Sequence, residues 1–528
     1  MGQNSQIGAA CRGVVAAGHP LTAEAGAEIL RRGGNAFDAA ISAVMAAWVT
    51  EPVLTSPGGG GFLLAHTAGG ENCLFDFFSQ TPGQRPRDRV PDFYPIEANF
   101  GDAVQEFHIG LGSVAVPGCV AGLFHVHQRL GRLPLAAIAE PAIHYATHGV
   151  AINGFMAYCF NLLTPILTAT PAARAMYAPH GTLLTAGDTF TLPDLATTLQ
   201  DLVDQGPALF YEGALAQRLV QDCQTHGGYL TQGDLAQYRV LERSPLALAY
   251  RGNTLLTNPP PSSGGALIAF TLALLEKGDW SQIPWGSPQH ITALAQAMAL
   301  TNTARRDGYD AHLHSADVAQ RFLAPDHLQP YHHAFGNVLN KWGSTTHVSV
   351  LDREGNAASV TTSNGEGSAY VIPGTQIMLN NMLGEADLHP QGFHQWQPHQ
   401  RISSMMAPTL VLEAGRPRLV LGSGGSNRIR TAIVQVVSNL LDFHLPLEEA
   451  VAAPRLHWEQ GTLHLEPGYE ADSLGATGSP QLEPLLETLC PWQQQNMFFG
   501  GVHAVARTAD GGFSGAGDAR RGGAMVMA

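Results

Sequence analysis

Apolar residues along the chain follow two rhythms, and the rhythm changes near residue 345. Residues 13–19 form a short Val/Ala run closed by Pro20, which predicts a buried strand. Thr22 is then placed to cap a helix that ends at Gly33-Gly34. A second, Ala-rich helix is expected over residues 35–48. The turn Ser56-Pro57-Gly58-Gly59-Gly60-Gly61 leads into a strand at 62–65, with another at 74–78. From residue 117 to about 321 the pattern is mostly helical, punctuated by Gly206, Gly213, Gly227-Gly228 and Gly233. Within it, Pro259-Pro260-Pro261-Ser262-Ser263-Gly264-Gly265 forms a rigid turn before an apolar helix at 266–275.

Beyond residue 345 the alternation becomes two-residue and β-branched. Residues 347–351 and 356–361, separated by Asp352-Arg353-Glu354-Gly355, predict a hairpin. Further strands are expected at 376–379, 409–413 and 418–421, and a helix at 428–443. Helices, strands, strands, helices is the order of an α+β fold in which two sheets lie between helical layers. A chain of 528 residues has room for several domains. No Gly/Ser tract, Pro-rich run or block of like charge marks a linker, so one large multilayered domain is expected.

Composition narrows the function. Hydrophobic residues make up 45% and charged residues 13%, which supports a large core and excludes a disordered chain. The net charge of −15 argues against nucleic-acid and anionic-membrane partners. Cys11, Cys73, Cys119, Cys159, Cys223 and Cys490 are scattered, without the close spacing of a disulfide framework or a zinc site. Residues 1–14 have no apolar stretch after a basic start, so no secretory signal is read there and a cytoplasmic location is expected.

Two segments could carry chemistry. Gly343-Ser344-Thr345-Thr346-His347 reads either as an ordinary strand start or as an internal nucleophile. In the second reading Thr345 attacks the Ser344 carbonyl, and the chain is cut to leave an N-terminal threonine. Such a residue holds a hydroxyl nucleophile and an α-amine base together. The amine has a pKa of about 8, low enough to take a proton near neutrality. Gly422-Ser423-Gly424-Gly425-Ser426-Asn427-Arg428, between a strand and a helix, reads either as a glycine turn or as an oxyanion site. It lacks the Lys-Ser/Thr of a phosphate loop.

From Thr345 onward the residues resemble the γ-glutamyltransferase family of N-terminal-nucleophile hydrolases. Thr345-Thr346-His347-Val348-Ser349-Val350 with Gly355-Asn356 is similar to that family's processing site. The similarity continues in order through Gly33-Gly34-Asn35-Ala36, Glu51-Pro52, Val116-Pro117-Gly118, Phe210-Tyr211-Glu212-Gly213 and Leu379-Asn380-Asn381. Arg401-Ile402-Ser403-Ser404-Met405, Ala453-Pro454-Arg455-Leu456-His457 and Gly517-Asp518 extend it to the C-terminus. The resemblance implies a four-layer αββα sandwich cut after Ser344 into a large subunit, 1–344, and a small one, 345–528. The two would form one intertwined heterodimer, with further dimerisation left open.

Carried over by position, Thr345 is the nucleophile, Ser363 its hydroxyl partner, and Gly424 and Gly425 the oxyanion pair. Asn364, Ser403 and Ser404 match contacts to the glutamyl α-carboxylate or α-amine, and Glu385 takes the place of the amine-binding Asp. The resemblance implies no metal or organic cofactor. It implies cleavage of γ-glutamyl amides such as glutathione, with water or an amino acid or peptide as acceptor. Phe78 departs from the pattern, standing where the family's glutamyl enzymes carry a carboxylate-binding Arg. Arg85 and Arg401 are candidate replacements for that cation. The alternatives are an amidase for a non-glutamyl acyl group and an unprocessed, non-catalytic scaffold.

Overall fold

The computed structural model describes residues 11–85, 90–99, 104–278, 280, 283–331, 345–389, 392–469 and 486–528. The subunit boundary expected at Ser344 lies outside them.

Thirteen strands build two antiparallel sheets. In chain order they are β1 (Gly13–Ala17), β2 (Gly60–His66), β3 (Asn72–Phe77), β4 (Leu241–Arg243), β5 (Leu246–Tyr250), β6 (Asn253–Thr257), β7 (Thr346–Asp352), β8 (Ala357–Ser363), β9 (Thr409–Glu413), β10 (Arg416–Gly424), β11 (Gly501–Arg507), β12 (Phe513–Ala516) and β13 (Ala524–Met527). The first sheet runs β13-β1-β7-β8-β2-β3-β4 and the second β12-β11-β10-β9-β6-β5. Seven helices matter for the layers: α1 (Pro20–Arg31), α2 (Ala36–Thr50), α3 (Leu135–His148), α4 (Pro193–Gln205), α5 (Gly264–Leu275), α6 (Pro288–Ala304) and α7 (Arg428–Leu441).

Alternation along the strands assigns the faces. Val15, Ala17, Leu63, Ala65, Val348, Val350, Ala358 and Val360 turn outward into one core with α1 to α4. Val14, Ala16, Phe62, Leu64, Leu351 and Ala357 turn inward, toward the second sheet, whose Leu410, Val420 and Leu421 share a core with α5 to α7. The result is the helix–sheet–sheet–helix order read from the sequence.

The space between the sheets is partly polar. The Ser349 hydroxyl donates to the His503 carbonyl at 3.0 Å, and Ser359 to that of Leu421 at 2.9 Å. His347 meets Thr361 at 2.7 Å and Ser349 at 2.9 Å, its ring lying where a Cβ on Gly422 would stand. Burial, followed by the nearby His503, holds the His347 imidazole well below its ordinary pKa, so it sits there neutral.

Helix α2 is buried on every side, as an all-round apolar helix must be. Its one charge, Asp38, is satisfied by the backbone N–H groups of Asn35, Arg132 and Leu133 at 3.1, 2.9 and 3.2 Å. Among the described residues no helix is long and apolar enough to cross a membrane.

Several sequence expectations shift. The N-cap of α1 is His19, whose Nδ1 accepts from the Leu21 N–H; Thr22 lies inside the helix and donates to Glu51 Oε1 at 2.8 Å. The strand expected at 376–379 shrinks to Ile377–Met378, paired with Val371–Ile372. The segment read as mostly helical contains β4, β5 and β6.

Candidate active site

Thr345 immediately precedes β7 and is buried. In the β7–β8 hairpin Thr346 faces Thr362, so Ser363 stands at the level of Thr345 at the open end of the hairpin. Strand β10 ends at Gly424, beside Gly501 of β11. There it runs directly against the threonine: a Cβ on Gly424 would stand 2.1 Å from the Thr345 carbonyl oxygen, so only glycine fits. Gly425 follows with φ +122°, again a glycine conformation, and the turn opens α7. The sequence places two glycines here because the strand-to-helix junction passes over a backbone.

Above this floor lies a narrow cleft. Its walls include Phe78, Ser363, Glu385, Ser403 and Ser404 together with Thr345. Most of the residues singled out from sequence therefore converge. Asn364 does not line the cleft: its amide donates to the Met378 and Leu379 carbonyls and accepts from Ser56, which turns it toward the protein interior.

Phe78 stacks on Phe62 with ring centroids 5.3 Å apart, so this wall is aromatic. Neither candidate arginine replaces the missing cation in the cleft. Arg401 is buried behind Phe78, where its guanidinium lies 3.1 Å from Asp76 Oδ1 and donates to the Phe78 and Arg239 carbonyls. Arg85 is exposed and donates to the His394 carbonyl.

Glu385 is half-buried, and its Oε1, shielded from solvent, has no hydrogen-bond partner among the described residues. Gly365, at φ +60°, makes room for it; a Cβ there would lie 2.0 Å from that oxygen. Burial, then the charges of Glu366 and Asp387, push the Glu385 carboxyl well above the usual carboxylate range. A donor or a cation entering the cleft would relieve that oxygen.

The sequence reading missed four residues here. Arg305 lines the cleft, its Nε donating to both Asp310 oxygens at 2.9 Å. Asp387, also in the wall, accepts from the Ser426 hydroxyl at 3.2 Å, just past the Gly424-Gly425 pair. Arg521 donates to the Thr345 carbonyl at 3.3 Å, and Glu51 accepts from Thr346. All four arrive from segments distant in sequence; only the Glu51-Pro52 pair offered any local signal.

Two facing antiparallel sheets between helical layers, with a threonine heading an inner strand above a glycine turn, define an N-terminal-nucleophile hydrolase fold. The family model described as gamma-glutamyltranspeptidase matches residues 22–528, and the chain belongs to that family of enzymes. An "Acylase ACY 1 proenzyme" of Pseudomonas sp. (strain V22) is 32% identical over 525 residues, covering 96% of this chain and 91% of that protein. A "Glutathione hydrolase proenzyme" of Escherichia coli (strain K12) is 31% identical over 502 residues, covering 88% and 84%. The crystal structure of a cephalosporin acylase from Bacillus halodurans superposes with a TM-score of 0.84 at 25% identity, covering 98% of this chain and 96% of that one.

Proposed function

We propose that this protein is a self-processing amide hydrolase or acyltransferase whose nucleophile is Thr345 and whose donors are γ-glutamyl amides. The observation that carries the proposal is the seating of Thr345 at the cleft floor, level with Ser363 and in contact with Gly424. In maturation the Thr345 hydroxyl adds to the Ser344 carbonyl carbon. The 344–345 C–N bond breaks, the hydroxyl proton ends on the released amine, and water splits the resulting ester.

In turnover the freed α-amine takes the Thr345 hydroxyl proton as the oxygen attacks the donor amide. The backbone N–H groups of the Gly424-Gly425 turn would stabilise the developing oxyanion, where one donor contributes about 3 kcal/mol. The leaving amine departs with the proton. Water, or an amino acid or peptide amine, then releases the acyl group. Glu385 would receive the donor's ammonium, and Ser403 and Ser404 its carboxylate.

Intact-mass measurement of the purified protein beside Thr345→Ala tests the nucleophile. The wild type is expected as two pieces split after Ser344, and the variant whole; a whole wild type would end the proposal. Dye release from γ-glutamyl-p-nitroanilide tests the donor.

A second reading is favoured by one feature. The Phe78–Phe62 wall offers a carboxylate no fork, and Arg401 is held behind it. An acyl group without the α-amino acid head suits that wall, and proteins named acylases are among the relatives. Cleavage of butyryl-p-nitroanilide, which lacks both the carboxylate and the ammonium, with no release from the γ-glutamyl compound would select it.

A further inference from the structure

A nucleophile at the head of a strand must be aimed both before and after the chain is cut. Once the chain is cut, nothing holds the residue from its N-terminal side, so its hydroxyl and amine are aimed only by what grips the following peptide. Around Thr345 that grip is specific. Arg521, fully buried, donates to the Thr345 carbonyl from Nη1 at 3.3 Å and to the Met497 carbonyl from Nη2 at 3.3 Å. One residue on, the Thr346 hydroxyl donates to Glu51 Oε2 at 2.5 Å, while Thr22 donates to Oε1 at 2.8 Å.

We propose that Glu51 and Arg521 are positioning residues for the nucleophile. Glu51 holds residue 346 by its hydroxyl, Arg521 holds residue 345 by its carbonyl, and together they fix the peptide plane from which the Thr345 side chain and amine project. The inference rests on Thr345 being the nucleophile.

Glu51 is costly where it stands, which argues against a merely structural role. It is the C-cap of α2, the helix end where a negative charge is disfavoured. It is also completely buried, in space so tight that a Cβ on Gly18 would lie 2.3 Å from Oε2. The titratable or charged groups that face it are Arg521 and the buried thiol of Cys159, on the short helix Gly154–Leu162; Glu366 acts on Arg521 and Cys159. Burial raises the Glu51 carboxyl to about 7, against the opposing pull of the Thr346 and Thr22 hydroxyls and of Arg521. Its ionised form accepts both hydroxyl hydrogens. Protonated, it competes for one of them and loosens Thr346. Positioning should therefore weaken as pH falls through about 7.

Self-cleavage reads this without a substrate and before any α-amine exists. The full chain is made by cell-free synthesis and followed by intact mass from pH 5.5 to 8.5, as wild type, Glu51→Gln, Thr346→Val and Thr346→Ser. The wild-type rate should rise through a step near pH 7. Glu51→Gln and Thr346→Val should cut at least tenfold more slowly at pH 8, and both should lack the step. Thr346→Ser, which keeps the hydroxyl, should restore rate and step. Circular dichroism melts confirm that each variant is folded. Folded Glu51→Gln and Thr346→Val that cut at the wild-type rate with the wild-type profile would overturn the assignment. A wild type that stays whole would instead remove the nucleophile on which it depends.

Discussion

Phe78 presses its ring onto Phe62 in the cleft wall, at the position where the family resemblance leads one to expect a guanidinium. An arginine there would make two charge-assisted bonds to a donor's carboxylate, together about 2 kcal/mol, or some thirtyfold in affinity. Phe78→Arg should therefore raise kcat/KM for γ-glutamyl-p-nitroanilide at least tenfold relative to 4-aminobutyryl-p-nitroanilide, which differs only in lacking the carboxylate. An unchanged ratio in a folded variant would mean that the carboxylate does not reach this wall. Glu385 invites the complementary experiment. Its carboxyl is pushed well above the ordinary range by burial, then by Glu366 and Asp387, so it keeps its proton to a higher pH than an ordinary carboxyl. A donor ammonium needs the ionised form. KM for the γ-glutamyl anilide should thus fall as pH rises, KM for glutaryl-p-nitroanilide should not, and Glu385→Gln should abolish the difference. Equal pH profiles for the two anilides would remove Glu385 from ammonium binding.

Helix α2 shows how one element's local code supports the layer above the site. Asn35 and Asp38 form a reciprocal capping box, and Asp38 also accepts from the backbone of the turn that leads into α3. Asp38→Ala leaves three N–H groups without their acceptor and should cost about 3 kcal/mol. Urea unfolding of the variant measures it, and a loss below about 0.5 kcal/mol would show that water replaces the carboxylate. Elements of this kind were legible because their signals are local: the Ala-rich run after Gly33-Gly34, the hairpin turn at Asp352, the glycine pair at 424–425. Strands β5 and β6 were not. Their interleaved exposed and half-buried residues, in Leu246–Tyr250 for example, take their strand character from pairing with each other and with β9, more than 150 residues away. The cleft was legible to the same degree. Thr345, Ser363, Glu385, Ser403 and Ser404 converge as the resemblance implied, whereas Arg305, Asp387, Glu51 and Arg521 act through contacts that no spacing reveals. Asn364 matched a pattern in sequence, yet the Met378 and Leu379 carbonyls turn its amide inward.

Strand order makes the whole molecule indifferent to one broken peptide bond. Strands β7 and β8, from beyond residue 345, lie between β1 and β2, from before it, with five residue pairs on one side and seven on the other. β13 pairs with β1, and β9 with β6, so both sheets are stitched from both segments. A cut after Ser344 removes none of these ladders, and the inward faces of both segments remain buried against each other. Association of the two pieces is therefore part of the fold rather than a surface docking. The cleaved protein should elute from gel filtration as one species at micromolar concentration and unfold in a single transition, with the pieces separating only in denaturant. Residues 345–528 made alone should show no cooperative melt, because β7 and β8 would expose both outer edges and the apolar face that α2 covers. A small piece that folds alone, or a pair that separates in buffer, would mean that the second sheet with α7 is an independent unit and that the interleaving of the first sheet contributes little to stability.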